Sequence, residues 1–304
     1  VDKATGGAPA TTQIKKLNVE LNDVVLSSPL DLRVRAAVFA DAENFDLTVR
    51  VGPVPIGKPD AVLPIHKVKI EAKSIDLARI IPYLGEGFPL HLDSAAFSAN
   101  LTIDDPTGAK GPIAVAGSLG LTKLALVGGE AFDLEAKPNL TFDPAAGALD
   151  LTGFSLDFAG MTVTASGKVD GLKTARPAFH GLKVATTGID LGRLQTLLPP
   201  LAAALPKGMK LAGPLVFDVN ATGDASAQTI AAVVDLDGAR IFVPGALDKP
   251  AGTALHVRLD ADTTPQAVTL KGMNLAVGGL NLTLTGSVSG LDTKPSFDLR
   301  GDTG

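Results

Sequence analysis

The sequence repeats itself, and the repeat limits the fold before any single residue is interpreted. His66, Lys69, Ile75, Asp76, Leu77 and Arg79 return in the same register as His180, Lys183, Ile189, Asp190, Leu191 and Arg193, 114 positions downstream. Farther along, Gly153, Leu156, Gly160, Gly167, Val169, Gly171, Leu172 and Thr174 return as Gly272, Leu275, Gly279, Gly286, Val288, Gly290, Leu291 and Thr293, at an offset of 119. Two tandem units follow, 64–177 and 178–304, preceded by a partial unit at 15–63 and a stretch at 1–14 expected to be a flexible linker. The chain opens on Val1 with neither a charged n-region nor an apolar h-region, and reads as an excised or processed piece of something longer.

Most of each unit alternates with period 2, which makes strands with one apolar face. Leu32, Val34, Ala36 and Val38 alternate with Arg33, Arg35 and Ala37, and Phe45, Leu47, Val49 and Val51 with Asp46, Thr48 and Arg50. Met161, Val163 and Ala165 oppose Thr162, Thr164 and Ser166; their repeat mates Leu280, Leu282 and Leu284 oppose Asn281, Thr283 and Thr285. Turn formers such as Gly128-Gly129, Asp170-Gly171 and Gly278-Gly279 join neighbouring strands, so the connections read as hairpins and the sheet as antiparallel. The expected fold is mainly β: a long curved antiparallel sheet of roughly sixteen strands, an open groove or taco-like barrel of tandem repeats, with a few short helices.

One helical signal occurs per unit. Leu77, Ile80, Leu84 and Phe88, and in the second copy Leu191, Leu194, Leu198, Leu201 and Leu205, fall at 3-and-4 spacing, placing helices near 75–84 and 189–205. Asp76 and Asp190 sit where the helix dipole favours an anion, Ser74 is a candidate cap for the first helix, and Pro82 and Pro199-Pro200 must shorten or kink both.

Chemistry is harder to find. Lys and Arg number 27 against 32 Asp and Glu, a net charge of −5 with no basic run, so no nucleic-acid partner is expected. The absence of cysteine removes disulfides, thiolate metal sites and Cys nucleophiles. The apolar run between Arg193 and Lys207 is too short to cross a bilayer. His66, His91, His180 and His256 lack a second ligand at metal-binding spacing, so no metal is assigned. Asp235-Leu-Asp237-Gly238 begins like a calcium loop, but Ala239, Arg240, Ile241 and Phe242 supply no further ligand. Asp104-Asp105 before Pro106-Thr107-Gly108 reads as a polar turn. Lys67, Lys69 and Lys73 share one strand face, a solvated surface on the plain reading and a contact for anionic lipid headgroups on the sharper one. With no base, nucleophile, nucleophile elbow or phosphate loop, the chain reads as non-enzymatic and free of cofactors, and tandem repetition favours an extended surface.

An apolar sheet face must be covered by a second sheet, by helices or by a ligand. Helices are scarce here, and the inward positions are mostly Leu, Val, Ala, Ile and Met, which suits either an ordinary aliphatic core or a hydrophobic lumen. The run Leu151-Thr-Gly-Phe-Ser-Leu156 with Met161-Thr-Val-Thr-Ala-Ser-Gly-Lys-Val169, its copy from Leu270 to Val288, the Ile-Asp-Leu-x-Arg motifs at Ile75 and Ile189, and the strands Phe97–Ile103 and Phe217–Thr222 resemble the AsmA-like family of Gram-negative envelope proteins. The resemblance covers nearly all of the chain from about residue 15. It implies a periplasmic β-groove that shields acyl chains while phospholipid or another membrane lipid, a sterol or hopanoid included, moves between inner and outer membranes, similar to the bridge-like lipid transfer proteins of eukaryotes. It also implies attachment to the inner membrane through a segment absent from this chain, and envelope proteins as further partners. Alternation nominates the lipid-binding lining: Phe97, Leu101, Leu151, Leu156, Phe158, Met161, Val163, Phe217, Val219, Leu275, Val277, Leu280, Leu282 and Leu284. The alternative is a structural scaffold of outer-membrane assembly whose apolar face is a solid β-core.

Overall fold

A computed structural model describes residues 13–303 apart from 23, 26, 55–62, 81–91, 108–110, 127 and 293. The expectations placed on Pro82, Leu84, Phe88 and most of the 1–14 linker lie outside these residues. Aliphatic residues at every second position produce strands nearly everywhere. In the first half these are β1 (Ile14–Asn22), β2 (Leu30–Val38), β3 (Phe45–Val51), β4 (Ile65–Asp76), β5 (Leu92–Asp104), β6 (Ile113–Leu126), β7 (Phe132–Lys137), β8 (Asn139–Asp143) and β9 (Ala148–Phe158). Then come β10 (Met161–Asp170), β11 (Ala178–Thr186) and β12 (Ile189–Asp190), helices α1 (Leu191–Leu197) and α2 (Pro199–Ala204), and β13 (Lys210–Ala212), β14 (Pro214–Gly223), β15 (Gln228–Asp235), β16 (Arg240–Val243) and β17 (Leu247–Lys249). The chain ends with β18 (Leu255–Thr263), β19 (Ala267–Val277), β20 (Leu280–Ser289) and β21 (Ser296–Thr303).

Eighteen strands form one antiparallel sheet, two more than the turn signals suggest, and β13, β16 and β17 form a second, three-stranded sheet. Neighbours in the large sheet are mostly neighbours in sequence, as hairpin connections require. Strand β6 pairs with both β7 and β8, which are one strand interrupted at Pro138. Proline has no N–H to give the ladder, and its carbonyl instead accepts from the Gly117 N–H at 3.2 Å. Among the described residues β1 pairs only with β2 and β21 only with β20, so the sheet is open at both sides and forms no closed barrel.

The chain divides into two compact units, one of residues 1–145 with 156–159 and one of 146–155 with 160–304. In the first, β4 runs to Asp76 and Leu77–Arg79 form a 3₁₀ helix, while residues 81–84 of the helix expected near 75–84 lie outside the described residues. Asp76, rather than Ser74, caps it, accepting from the Ala78 N–H at 3.1 Å. Ser74 sits at φ +51 where the β4–β5 register shifts, its N–H bound by Ser98 Oγ. In the second unit the expected helix near 189–205 is split in two. Asp190 caps α1 by accepting from the Arg193 N–H at 2.9 Å. The Pro199-Pro200 pair ends α1 by its missing N–H groups, then starts α2, where a proline fits the first turn.

Burial in this fold falls mainly on small residues. Eleven of the twenty buried apolar residues are alanines, while among the described residues Leu197, in α1, is the one large side chain fully sealed from solvent. Alanines lie low between taller neighbours on a sheet and are shadowed by them; the tall side chains reach full burial only when something is laid over them.

Candidate functional site

In an antiparallel ladder, directly opposed residues point to the same side, so the registers say which side chains share a face. In the first unit one row runs Leu21, Leu32, Val49, Val68, Ile103, Val115 and Leu140 across seven consecutive pairing partners. A parallel row runs Val19, Val34, Leu47, Ile70 and Leu101. In the second unit Leu284, Met273, Leu259, Ala232, Val219, Val184 and Ala165 form one row, and Leu282, Leu275, Val257, Val234 and Phe217 the next. Each unit therefore presents a continuous aliphatic face with no charged side chain in these rows.

Most of the nominated lining falls on these faces. Phe97 and Leu101 belong to the first unit's face, and Val163, Phe217, Val219, Leu275, Val277, Leu280, Leu282 and Leu284 to the second's. Leu151 neighbours Asp150, whose carboxylate meets Lys168 on the polar side at 2.7 Å, so Leu151 points to the apolar side. Leu156 and Phe158, two apart on β9, share one side of that strand and are both partly buried. Depths within the nominated set differ: Met161 and Leu101 are 3% and 8% exposed and belong to the packed layer, whereas Leu280 is 51% exposed. At one end of the first unit's face Ala72, Ile75 and Ala99 are packed under Phe39, Phe45, Phe97 and Ile80. The Arg79 guanidinium lies 5.6 Å from the Phe39 ring. Sequence reasoning missed the members contributed by β1, β2, β3, β4, β6, β8, β11, β15 and β18. Their alternation is as clear as that of the residues chosen, but only register shows that the rows join.

The opposite face carries the charges, in ion pairs that mostly join neighbouring strands. Arg33 makes a two-pronged contact with Asp46, Arg35 pairs with Glu20, Lys69 with Glu71 at 2.6 Å, Lys183 with Asp218 at 3.0 Å and Lys271 with Asp262 at 2.8 Å. The Arg33 hydrogen bond holds the Asp46 carboxyl below its usual range, and Lys271 with Thr229 does the same for Asp262. Lys67 faces Asp104 at 3.9 Å, so two of the three β4 lysines have acidic neighbours on this face. A shallow depression of about 290 Å³ between Asp218, Asn220, Arg258, Asp260 and Asn274 lies on this side of the second unit, and its Asp218 and Lys271 are already engaged in pairs.

The remaining polar motifs are structural. His66 Nε2 lies 2.6 Å from the Gly52 carbonyl and His180 Nε2 lies 2.8 Å from Asp170, so the repeat-equivalent histidines have unlike partners. Asp105 accepts from the Thr107 N–H and hydroxyl, which makes the turn its sequence suggests. The calcium-loop start is spent differently: Asp237 accepts from the Leu255 N–H at 2.6 Å and contacts His256 Nδ1 at 3.0 Å, while the Lys249 ammonium donates to the Ala239 and Asp237 carbonyls. A lysine thus stands where that motif would hold a cation. Among the described residues no group of His, Asp and Glu is arranged to hold a metal ion. Compared with family models, with curated proteins and with solved structures, the chain matches none.

Proposed function

We propose that the aliphatic sheet face binds the acyl chains of membrane lipids and carries them as a non-enzymatic lipid-transfer module of the bacterial envelope. The observation that carries this reading is where exposure persists. Strands β18 and β19 are hydrogen-bonded on both sides, so no edge effect exposes them, yet Val257, Leu259, Met273 and Leu275 all stay partly open to solvent. Aliphatic side chains in mid-sheet that remain wet are the surface an acyl chain would cover, at about 0.8 kcal/mol for each methylene removed from water. Transfer along such a face makes and breaks no bond, in keeping with a polar side whose charges are engaged in ion pairs. The resemblance of the repeated strands to the AsmA-like family supports a periplasmic setting and phospholipid, sterol or hopanoid as cargo. Among the described residues no helix is long and apolar enough to cross a membrane.

The test is gentle purification from bacterial cells, solvent extraction and mass spectrometry of the co-purifying lipid, with Leu282→Asp alongside and both chains checked by circular dichroism. Near-stoichiometric lipid on the parent and its loss from a folded Leu282→Asp variant is the expected result. Folded proteins that carry no lipid would replace this reading by the solid-core scaffold.

A further inference from the structure

The helical insertion between β12 and β14 offers a surface of another kind. Its first helix is anchored through buried Leu197, but no residue of α2 is buried. Leu201 is 39% exposed, and Pro200 and Ala202–Ala204 are exposed with it. A surface helix of a folded domain normally turns an apolar stripe inward; α2 is apolar along its whole length and leaves it outside. The tip of the β16–β17 hairpin, Pro244-Gly245-Ala246-Leu247, is exposed as well, with Leu247 at 41%. The two are neighbours: a Cβ added at Gly208, just past α2, would come within 3.0 Å of Pro244 Cγ. They make one apolar tip.

Around α2 the charges are of one sign. From Leu191 to Phe217 the chain has no acidic residue and three basic ones, Arg193, Lys207 and Lys210, although the whole chain carries −5. Lys207 and Lys210 are both exposed and have no ion-pair partner among the described residues. On the hairpin, Arg240 lies 4.0 Å from Asp248.

We infer that this tip docks on an anionic lipid bilayer, with Leu201 and Leu247 entering the headgroup boundary and Lys207 and Lys210 meeting the phosphates. Apolar side chains gain by leaving water at that depth, and lysines reach back to the charged surface on their flexible stems. A second copy of the chain suits the tip less well, since pairing it with itself brings the same lysines together. The inference does not rest on the lipid-carrying sheet face, because α2, β16 and β17 lie outside the large sheet.

The chain contains no tryptophan, so a single one reports without background. Leu201→Trp is mixed with vesicles of phosphatidylcholine and phosphatidylglycerol, and separately with phosphatidylcholine alone. Leu172→Trp, equally exposed at 43% in the turn after β10, serves as control. The expected result is a blue shift of Leu201→Trp emission on the anionic vesicles only, no shift of Leu172→Trp, and roughly thirtyfold weaker binding after Lys207→Ala with Lys210→Ala. Unchanged circular dichroism and melting establish that each variant is folded. No shift on any vesicle, an equal shift of Leu172→Trp, or undiminished binding without the two lysines would overturn the inference, as would vesicle-independent self-association through the tip.

Discussion

At the scale of single residues, Lys249 is the most constrained charge in the molecule. It is 5% exposed, a depth at which an ammonium persists only when its protons are accepted. The Ala239 carbonyl accepts at 2.6 Å and the Asp237 carbonyl at 3.2 Å, closing the turn that joins β15 to the small sheet. Lys249→Met keeps the stem and removes the donor, so a urea midpoint lower by the equivalent of about 1–3 kcal/mol is expected, the cost of leaving buried carbonyls unpaired. The neighbouring Asp237 carboxyl is held below its ordinary value first by the His256 hydrogen bond, then by the Leu255 N–H, with the Lys249 charge adding to both. A carboxylate with a depressed folded-state pKa stabilises the fold above its unfolded value and loses that contribution as pH falls through the folded one. Asp237→Asn is therefore expected to flatten the fall in stability below the ordinary value of 3.8, which urea titrations on either side of that pH would measure. The sequence shows Asp235-x-Asp237-Gly238 as a turn, but not what fills it. Lys249 is twelve positions away, and only the folding back of β17 brings it in.

Among elements, the informative places are those where a strand breaks its own period. Leu270 and Met273, three apart, both face the apolar side because the β18–β19 and β19–β20 registers shift between them. Strict odd-and-even reading would send one of them to solvent. Alternation thus made the faces legible, while bulges, set by cross-strand geometry, were not. The repeat comparison also gives equal weight to two glycine pairs that the structure separates. Gly286 has φ +133 and a Cβ there would lie 2.0 Å from the Asp298 carbonyl oxygen, whereas nothing comes within 4 Å of a Cβ at Gly272. Gly286→Ala is expected to cost about 1–3 kcal/mol or more, and Gly272→Ala less than about 0.5 kcal/mol, read from chemical denaturation of the two variants. Near 75–84 the helical turn begins only at Leu77, because Ile75 and Phe97, opposed across the ladder, keep β4 extended as far as Asp76.

At the scale of the whole molecule, the sequence led to a mainly β antiparallel sheet with few helices, and the structure has that sheet. The strand count fell short because β7 and β8 share a partner and β12, at two residues, carries no alternation to read, and the short strands of the small sheet went unread for the same reason. What alternation cannot reveal is the balance between burial and exposure on the apolar face, which depends on what, if anything, covers it. That balance makes the proposed function thermodynamically visible. If the aliphatic rows bind acyl chains in the folded state alone, free lipid must raise stability by linkage, by about 2.7 kcal/mol at a hundred times the dissociation constant. For a chain of 304 residues each kcal/mol moves the melting temperature by roughly 1.6 °C. Delipidated parent protein is therefore expected to melt several degrees higher after phospholipid is restored, as followed by circular dichroism. Leu282→Asp should gain less, because its carboxylate interrupts the row of Leu275, Val257, Val234 and Phe217. Equal gains by both proteins would place lipid elsewhere on the molecule, and no gain by either would leave the half-open aliphatic face to a protein partner.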